Sequence, residues 1–175
     1  MKAYLRFRVP PTVAASLSKT VDRTFPFPRL VEAKSPDTYH VTLAYFGDIH
    51  PAATPVLNDA IAHAYIRYGK IRPIITLEHY KAFDVQDRRL LVAHAQVVPF
   101  VEWNACRGEI LRYMGVDPNE TGFPEWNPHV TLGELSKNVP LPASLAGTFV
   151  WEPKGAELVI KTKVTDLILP AWSFD

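Results

Sequence analysis

The chain has 175 residues, 47% of them hydrophobic and 21% charged, with a net charge of +1 at pH 7. That suits one compact domain or two small lobes sharing a core, and no basic excess demands a long nucleic-acid partner, although a small phosphate ligand needs only local positive charge. The single cysteine, Cys106, excludes an internal disulfide and points to a reducing compartment, the cytoplasm.

Residues 3–9 alternate strictly, with Leu5, Phe7 and Val9 on one side and Tyr4, Arg6 and Arg8 on the other, which predicts a half-buried strand. The same alternation of charge is unlike a signal-peptide core. Pro10 and Pro11 end the strand and start a helix over 11–21, with Val13, Leu17 and Val21 at helical spacing. A proline-punctuated connection follows, with a short strand at 30–33, then a strand at 39–46 closed by Gly47-Asp48. The stretch 52–68 places Val56, Leu57, Ala60, Ile61, Ala64, Tyr65 and Tyr68 on one helical face. Residues 72–84 and 88–98 read as two strands joined in a hairpin by polar residues. Pro99 opens a second Pro-initiated helix with Phe100, Trp103, Ile110 and Leu111 inward; a loop over 115–128, a strand from His129, and late strands at 156–161 and 165–169 complete the chain. No run of 18 apolar residues predicts a membrane-spanning helix, and no heptad or long apolar edge predicts self-association, so a monomer is expected.

The tetrapeptide HVTL occurs twice, at 40–43 and at 129–132, each time 30 positions after a helix-opening proline, Pro10 or Pro99. The order strand, helix, loop, HVTL strand is therefore duplicated, and a period this long points to a bilobed domain with pseudo-two-fold symmetry rather than a solenoid. The lobes are expected over roughly 1–50 with the C-terminal strands, and over 72–140.

On a strand, His40 and Thr42 point to one face and Val41 and Leu43 to the other; His129 and Thr131 stand in the same way against Val130 and Leu132. Two such strands side by side line one groove with two imidazoles and two hydroxyls. Imidazole titrates near neutrality, so one ring can take a proton from an attacking oxygen while the other gives one to a leaving oxygen. Two threonine hydroxyls can hold the non-bridging oxygens of a phosphate between them. The set describes phosphodiester cleavage without a metal or cofactor. Zinc is the competing chemistry, but the chain lacks HExxH and CxxC spacings, so no metal ligands are assigned. Of the other histidines, His50 and His63 read as solvated, and His79 and His94 as core or groove residues on strands.

These features resemble the 2H phosphoesterase superfamily, whose signature is two H-x-[TS]-hydrophobic motifs. "LRFRVP", "YHVTLAYFGDI", "AFDVQDRRLLVAHA" and "FPEWNPHVTLGEL" carry the resemblance, which covers most of the chain and is nearest to the bacterial 2'-5' RNA ligase-like group, including RNA 2',3'-cyclic phosphodiesterases. It implies an α+β bilobed fold, with antiparallel sheets around a central groove and helices outside. It also implies catalytic His40 and His129, with Thr42 and Thr131 on phosphate. The substrates implied are a nucleotide or RNA end bearing a cyclic phosphate, a 2'-5'-linked oligonucleotide, or a cyclic oligonucleotide signal. His40 is assigned as proton donor and His129 as acceptor. Many relatives of the RNA group carry an arginine soon after the second motif, where this chain has Glu134 and Lys137; alternation places Glu134 on the Val130/Leu132 side, and Arg6 or Arg8 can supply the charge instead. Trp126, Phe83 and Phe46, the last on the His40 side, are candidates to stack on a base. The alternative is a nucleotide-binding module or sponge that uses the same groove without turnover, and a joining enzyme would use the same residues in reverse.

Overall fold

The computed structural model describes residues 1–119 and 124–174; part of the expected 115–128 loop, 120–123, lies outside them. The elements are β1 (Lys2–Arg8), α1 (Pro11–Thr24), β2 (Leu30–Ala33), β3 (His40–Asp48), α2 (Thr54–Tyr68), β4 (Ile74–Val85), β5 (Arg88–Val98), α3 (Phe100–Tyr113), β6 (His129–Leu135), β7 (Phe149–Trp151), β8 (Gly155–Lys161) and β9 (Asp166–Ser173). The fold class is α+β, as expected. One curled antiparallel sheet runs β7-β4-β5-β6-β3-β1-β8-β9, with β2 paired to β6. Most of the strands and helices expected from periodicity are present within a few residues. β7 was missed, and β9 runs four residues past the expected end.

The sheet order separates β3-β1-β8-β9 from β7-β4-β5-β6, so the duplicated segments occupy opposite halves. One short strand crosses this division: β2, from the first 50 residues, pairs with β6, while β7 extends the second half by pairing with β4. The β2 crossing depends on Gly133, because a Cβ there would collide with the Glu32 carbonyl. β9 ends the sheet as an open edge with Leu167 and Ile168 half exposed, an apolar edge that the sequence did not announce. Pro170 within it lacks the N–H that an added strand would need.

The helices cover one face of the sheet. Ala14, Leu17 and Val21 of α1, Leu57, Ala60, Ile61 and Ala64 of α2, and Trp103, Cys106, Ile110 and Leu111 of α3 are buried against it. Val56 and Tyr65, expected on the inner face of α2, are instead partly exposed, as is Phe100 of α3. Trp103 anchors the core, meeting Phe7 edge-on with ring centroids 5.1 Å apart and Phe174 at 5.8 Å; such edge contacts suit the aromatic quadrupole. β1 is covered on both faces: Leu5 and Phe7 lie under the helices, while Tyr4 and Arg6 are buried on the opposite, concave side. That concave side carries the histidines.

Candidate active site

β3 and β6 meet at the centre of the sheet through a single antiparallel pair, Val41 opposite Val130. These are equivalent letters of the two HVTL repeats. An antiparallel rung there brings His40 beside Thr131 and Thr42 beside His129. The strands are also buried in the same sequence: His40–Phe46 and His129–Leu135 both run half-buried, buried, half-buried, buried, buried, half-buried, buried. The two consecutive buried residues, Leu43-Ala44 and Leu132-Gly133, mark a bulge in each strand, where the registers with β1 and β5 slip by one residue. Both valines are fully buried under the helices, and both His-Thr pairs face the concave side.

The rings are fixed alike. His40 Nδ1 lies 2.7 Å from the Thr38 carbonyl and His129 Nδ1 lies 2.7 Å from the Asn127 carbonyl, each two residues upstream. A carbonyl only accepts, so each Nδ1 carries the proton and each Nε2 is left for chemistry. Tyr4 stacks on His40 at 5.3 Å, and Phe83 meets His129 edge-on at 4.9 Å. Burial pushes the His40 pKa down to about 4, against the Thr38 carbonyl bond that favours the proton; Arg6, Lys161 and His129 add repulsion. His129 is lowered too, again chiefly by burial, with His94 and Lys81 contributing. Both rings are thus neutral near pH 7 in the free chain.

The flanks differ in charge. Arg6 stands across the ladder from Thr42 and Arg8 from His40. Arg6 is buried and holds Glu157 through Nε at 2.9 Å and a second guanidinium nitrogen at 2.8 Å, whereas Arg8 is exposed. The Lys161 ammonium lies 5.8 Å from the Tyr4 ring, extending the stack on His40. On the other flank, Val92 pairs with Thr131 and His94 with His129, and Lys81 pairs with Val92. A cavity of about 450 Å³ opens between Thr42, Tyr45, Phe83, Trp126, Asn127 and His129, with Arg107 of α3 also in its wall.

The sheet brings His40, Thr42, His129, Thr131, Arg6 and Phe83 onto one face. Three expectations change. Phe46 does not share the His40 side; the bulge at Leu43-Ala44 reverses the alternation, burying Phe46 in the core and turning Tyr45 to the cavity. The equivalent bulge places Glu134 on the concave side, away from the buried Val130 and Leu132, and there Arg88 Nε holds its carboxylate at 2.6 Å. Trp126 lines the cavity but is buried: its ring stacks on Phe100 at 5.4 Å, and its indole N–H donates to the Thr42 carbonyl at 2.9 Å. Its place is thus that of a fixed wall. Sequence reasoning missed Tyr45, Arg107 and Lys161. Alternation with an allowance for a bulge at Gly133 could have found Tyr45 by analogy; nothing in the sequence marks Arg107.

No protein-family model matches the chain, and no curated protein matches it in sequence. Solved structures match it in shape. TT0787 of Thermus thermophilus gives a TM-score of 0.70 over 99% of this chain and 98% of its own, at 19% identity. A phosphoesterase gives 0.67 over 97% and 94%, at 15% identity. E. coli LigT complexed with 3'-AMP gives 0.63 over 97% and 93%, at 17% identity. The chain has the fold of the 2H phosphoesterases. The 2H fold accounts for both halves of the sheet, since the matches span nearly the whole chain. Among the described residues, no helix is long and apolar enough to cross a membrane.

Proposed function

We propose that the chain is a phosphodiesterase that hydrolyses a cyclic phosphate or a 2'-5' phosphodiester in a nucleotide, an oligonucleotide or an RNA end, with His40 and His129 as its acid-base pair and no catalytic metal. The observation that carries this reading is the matched pair of Nδ1–carbonyl bonds, at 2.7 Å each, behind two imidazoles on one concave face. Each ring thereby presents Nε2 forward, as a base and an acid on opposite sides of one phosphorus atom require.

In the proposed reaction, water adds to phosphorus while one neutral imidazole takes its proton. The bond from phosphorus to the ribose oxygen breaks, and the other imidazole, protonated, gives that oxygen its hydrogen. Thr42 and Thr131 donate to the non-bridging oxygens as charge builds there, with Arg6 behind Thr42 adding positive charge. The phosphate's own negative charge raises both imidazole pKa values on binding, which supplies the proton that the free chain lacks. Burial lowers both rings, His40 to about 4, and Arg6 and Lys161 add positive charge beside His40. The electrostatics therefore favour His40 as acceptor and His129 as donor, the reverse of the assignment made from sequence.

The crystal structures of LigT with 3'-AMP and with phosphate support a nucleotide phosphate as the ligand class for this fold. The test is a panel of 2',3'-cyclic nucleotides, 2'-5' oligoadenylate and cyclic oligonucleotides incubated with the chain in EDTA, with products identified by mass. Turnover beyond one equivalent, lost in His40→Ala and His129→Ala, supports the proposal. Stoichiometric binding without product makes the chain a nucleotide sponge.

A further inference from the structure

The concave face of the second half carries a cluster that the phosphodiester chemistry leaves unused. β4 and β5 pair Leu77 with Ala95 and His79 with His94, so Glu78 is the extra residue of a bulge. Bulges re-aim side chains that alternation would send apart. Here Glu78 and His79, although consecutive, both reach His94: Glu78 Oε2 lies 3.1 Å from His94 Nδ1 and 3.9 Å from His79 Nδ1. The two imidazoles stack at 5.0 Å with their planes 24° apart. One ligand atom from each of the three residues lies within 4.8 Å of the other two.

We propose that Glu78, His79 and His94 bind a divalent transition-metal ion of the zinc type. Two imidazoles and a carboxylate form a borderline-soft donor set suited to such ions and poor for magnesium or calcium. Metal–ligand bonds of about 2.0–2.2 Å hold donors roughly 3.5 Å apart, so loading draws the three atoms in from within 4.8 Å and turns the stacked rings toward a common point. The side chains of Glu78 and His79 are 39% and 37% exposed, so an ion reaches them from solvent. A Glu78–His94 hydrogen bond alone would need only two of the three residues; the second imidazole is what completes a ligand set. Three protein ligands leave a coordination position open. Lys81, on the same strand and near enough to repel a charge on His94, opposes the ion. The site is separate from the proposed acid-base pair but adjoins it, because His94 pairs across the ladder with His129. Local spacing rules miss this cluster, since it forms across a hairpin.

The test uses the whole chain, stripped with EDTA and exchanged into chelator-free buffer, titrated with zinc chloride by calorimetry and with cobalt chloride by visible absorption. The expected result is saturation at a single ion per chain with a tetrahedral-type cobalt spectrum. Affinity should fall about tenfold or more in Glu78→Gln and in His79→Ala, hold in His40→Ala, and rise in Lys81→Met. Circular dichroism of each variant verifies the fold. Absence of saturable binding overturns the proposal, as does equal affinity in Glu78→Gln and His79→Ala to that of the parent. Binding lost in His40→Ala but kept in His79→Ala also overturns it, by moving the ion to the acid-base pair. Because binding is read directly, failure here is distinguishable from failure of the phosphodiesterase reading, which is tested in EDTA.

Discussion

Val41 lies opposite Val130 on the one rung that joins β3 to β6, so the pseudo-two-fold relation passes between two residues of the same letter. Everything polar in the proposed site is arranged about that rung. The histidine of each repeat sits beside the threonine of the other, so each Thr can serve the phosphate next to the His of the opposite flank.

This arrangement predicts different costs for the two residue types. His40→Ala and His129→Ala should each lower kcat by about 10²–10⁴-fold. Thr42→Val and Thr131→Val, which remove a donor to the developing charge, should cost about 10²-fold each. The double histidine variant should be little worse than the single ones, because acid and base act as one unit. Steady-state kinetics on whichever cyclic substrate is turned over measures all five proteins; near-normal kcat in either single histidine variant defeats the acid-base pair.

The His40 ring sets a pH dependence of stability. Its pKa is 6.5 in the unfolded chain and about 4 when folded. Above pH 6.5 the ring is neutral in both states. Between 6.5 and 4 the unfolded chain takes up a proton that the folded one refuses, so stability falls with pH across that window, by up to about 3 kcal/mol. His129, lowered as well, contributes in the same direction. Urea midpoints at pH 7.5, 5.5 and 4.5 should drop less steeply in His40→Gln than in the parent. Parallel slopes would show that the ring titrates normally in the folded chain.

The Arg6–Glu157 pair links β1 to β8 on the concave face. Glu157→Gln leaves the buried guanidinium without its counter-charge and should cost about 3 kcal/mol of stability. The same change frees Arg6 toward a bound phosphate, so phosphate affinity should tighten while the protein weakens. Arg6→Met should weaken phosphate binding. Thermal melts with and without inorganic phosphate separate these effects; an unchanged phosphate affinity in both variants removes Arg6 from the ligand site.

Trp126 ties the segment before β6 to β3 through its bond to the Thr42 carbonyl. Trp126→Phe keeps the stack on Phe100 but deletes that donor, and should cost about 1 kcal/mol. Trp126→Ala removes the wall itself and should cost about 3–5 kcal/mol. Chemical denaturation measures both. An equal effect of the two changes would mean that the hydrogen bond, not the packing, carries the residue's role.

The groove was legible where strand alternation sufficed. His40, Thr42, His129 and Thr131 come to one face because each pair lies before the bulge, where the two-residue period still holds. Past the bulge, the period reverses and the letters do not say so. Gly133 hints at an irregularity in β6, but Ala44 occupies the equivalent place in β3, so Phe46 and Glu134 were assigned to the wrong faces. Arg107 reaches the cavity wall from a helix, and Glu78, His79 and His94 depend on hairpin register; both are relations between elements that no local pattern contains.

The sheet order has a consequence for how the chain is made. β4 through β7 form one half from a continuous stretch, apart from the visit of β2, whereas β1 must pair with β8, more than 150 residues later. As the polypeptide leaves the ribosome, the half holding His129 has nearly all of its strands in hand while β1 still lacks its outer neighbour. Assembly is then ordered by synthesis: Arg6 receives Glu157, and the His40 flank gains its outer strands, only once β8 and β9 have emerged.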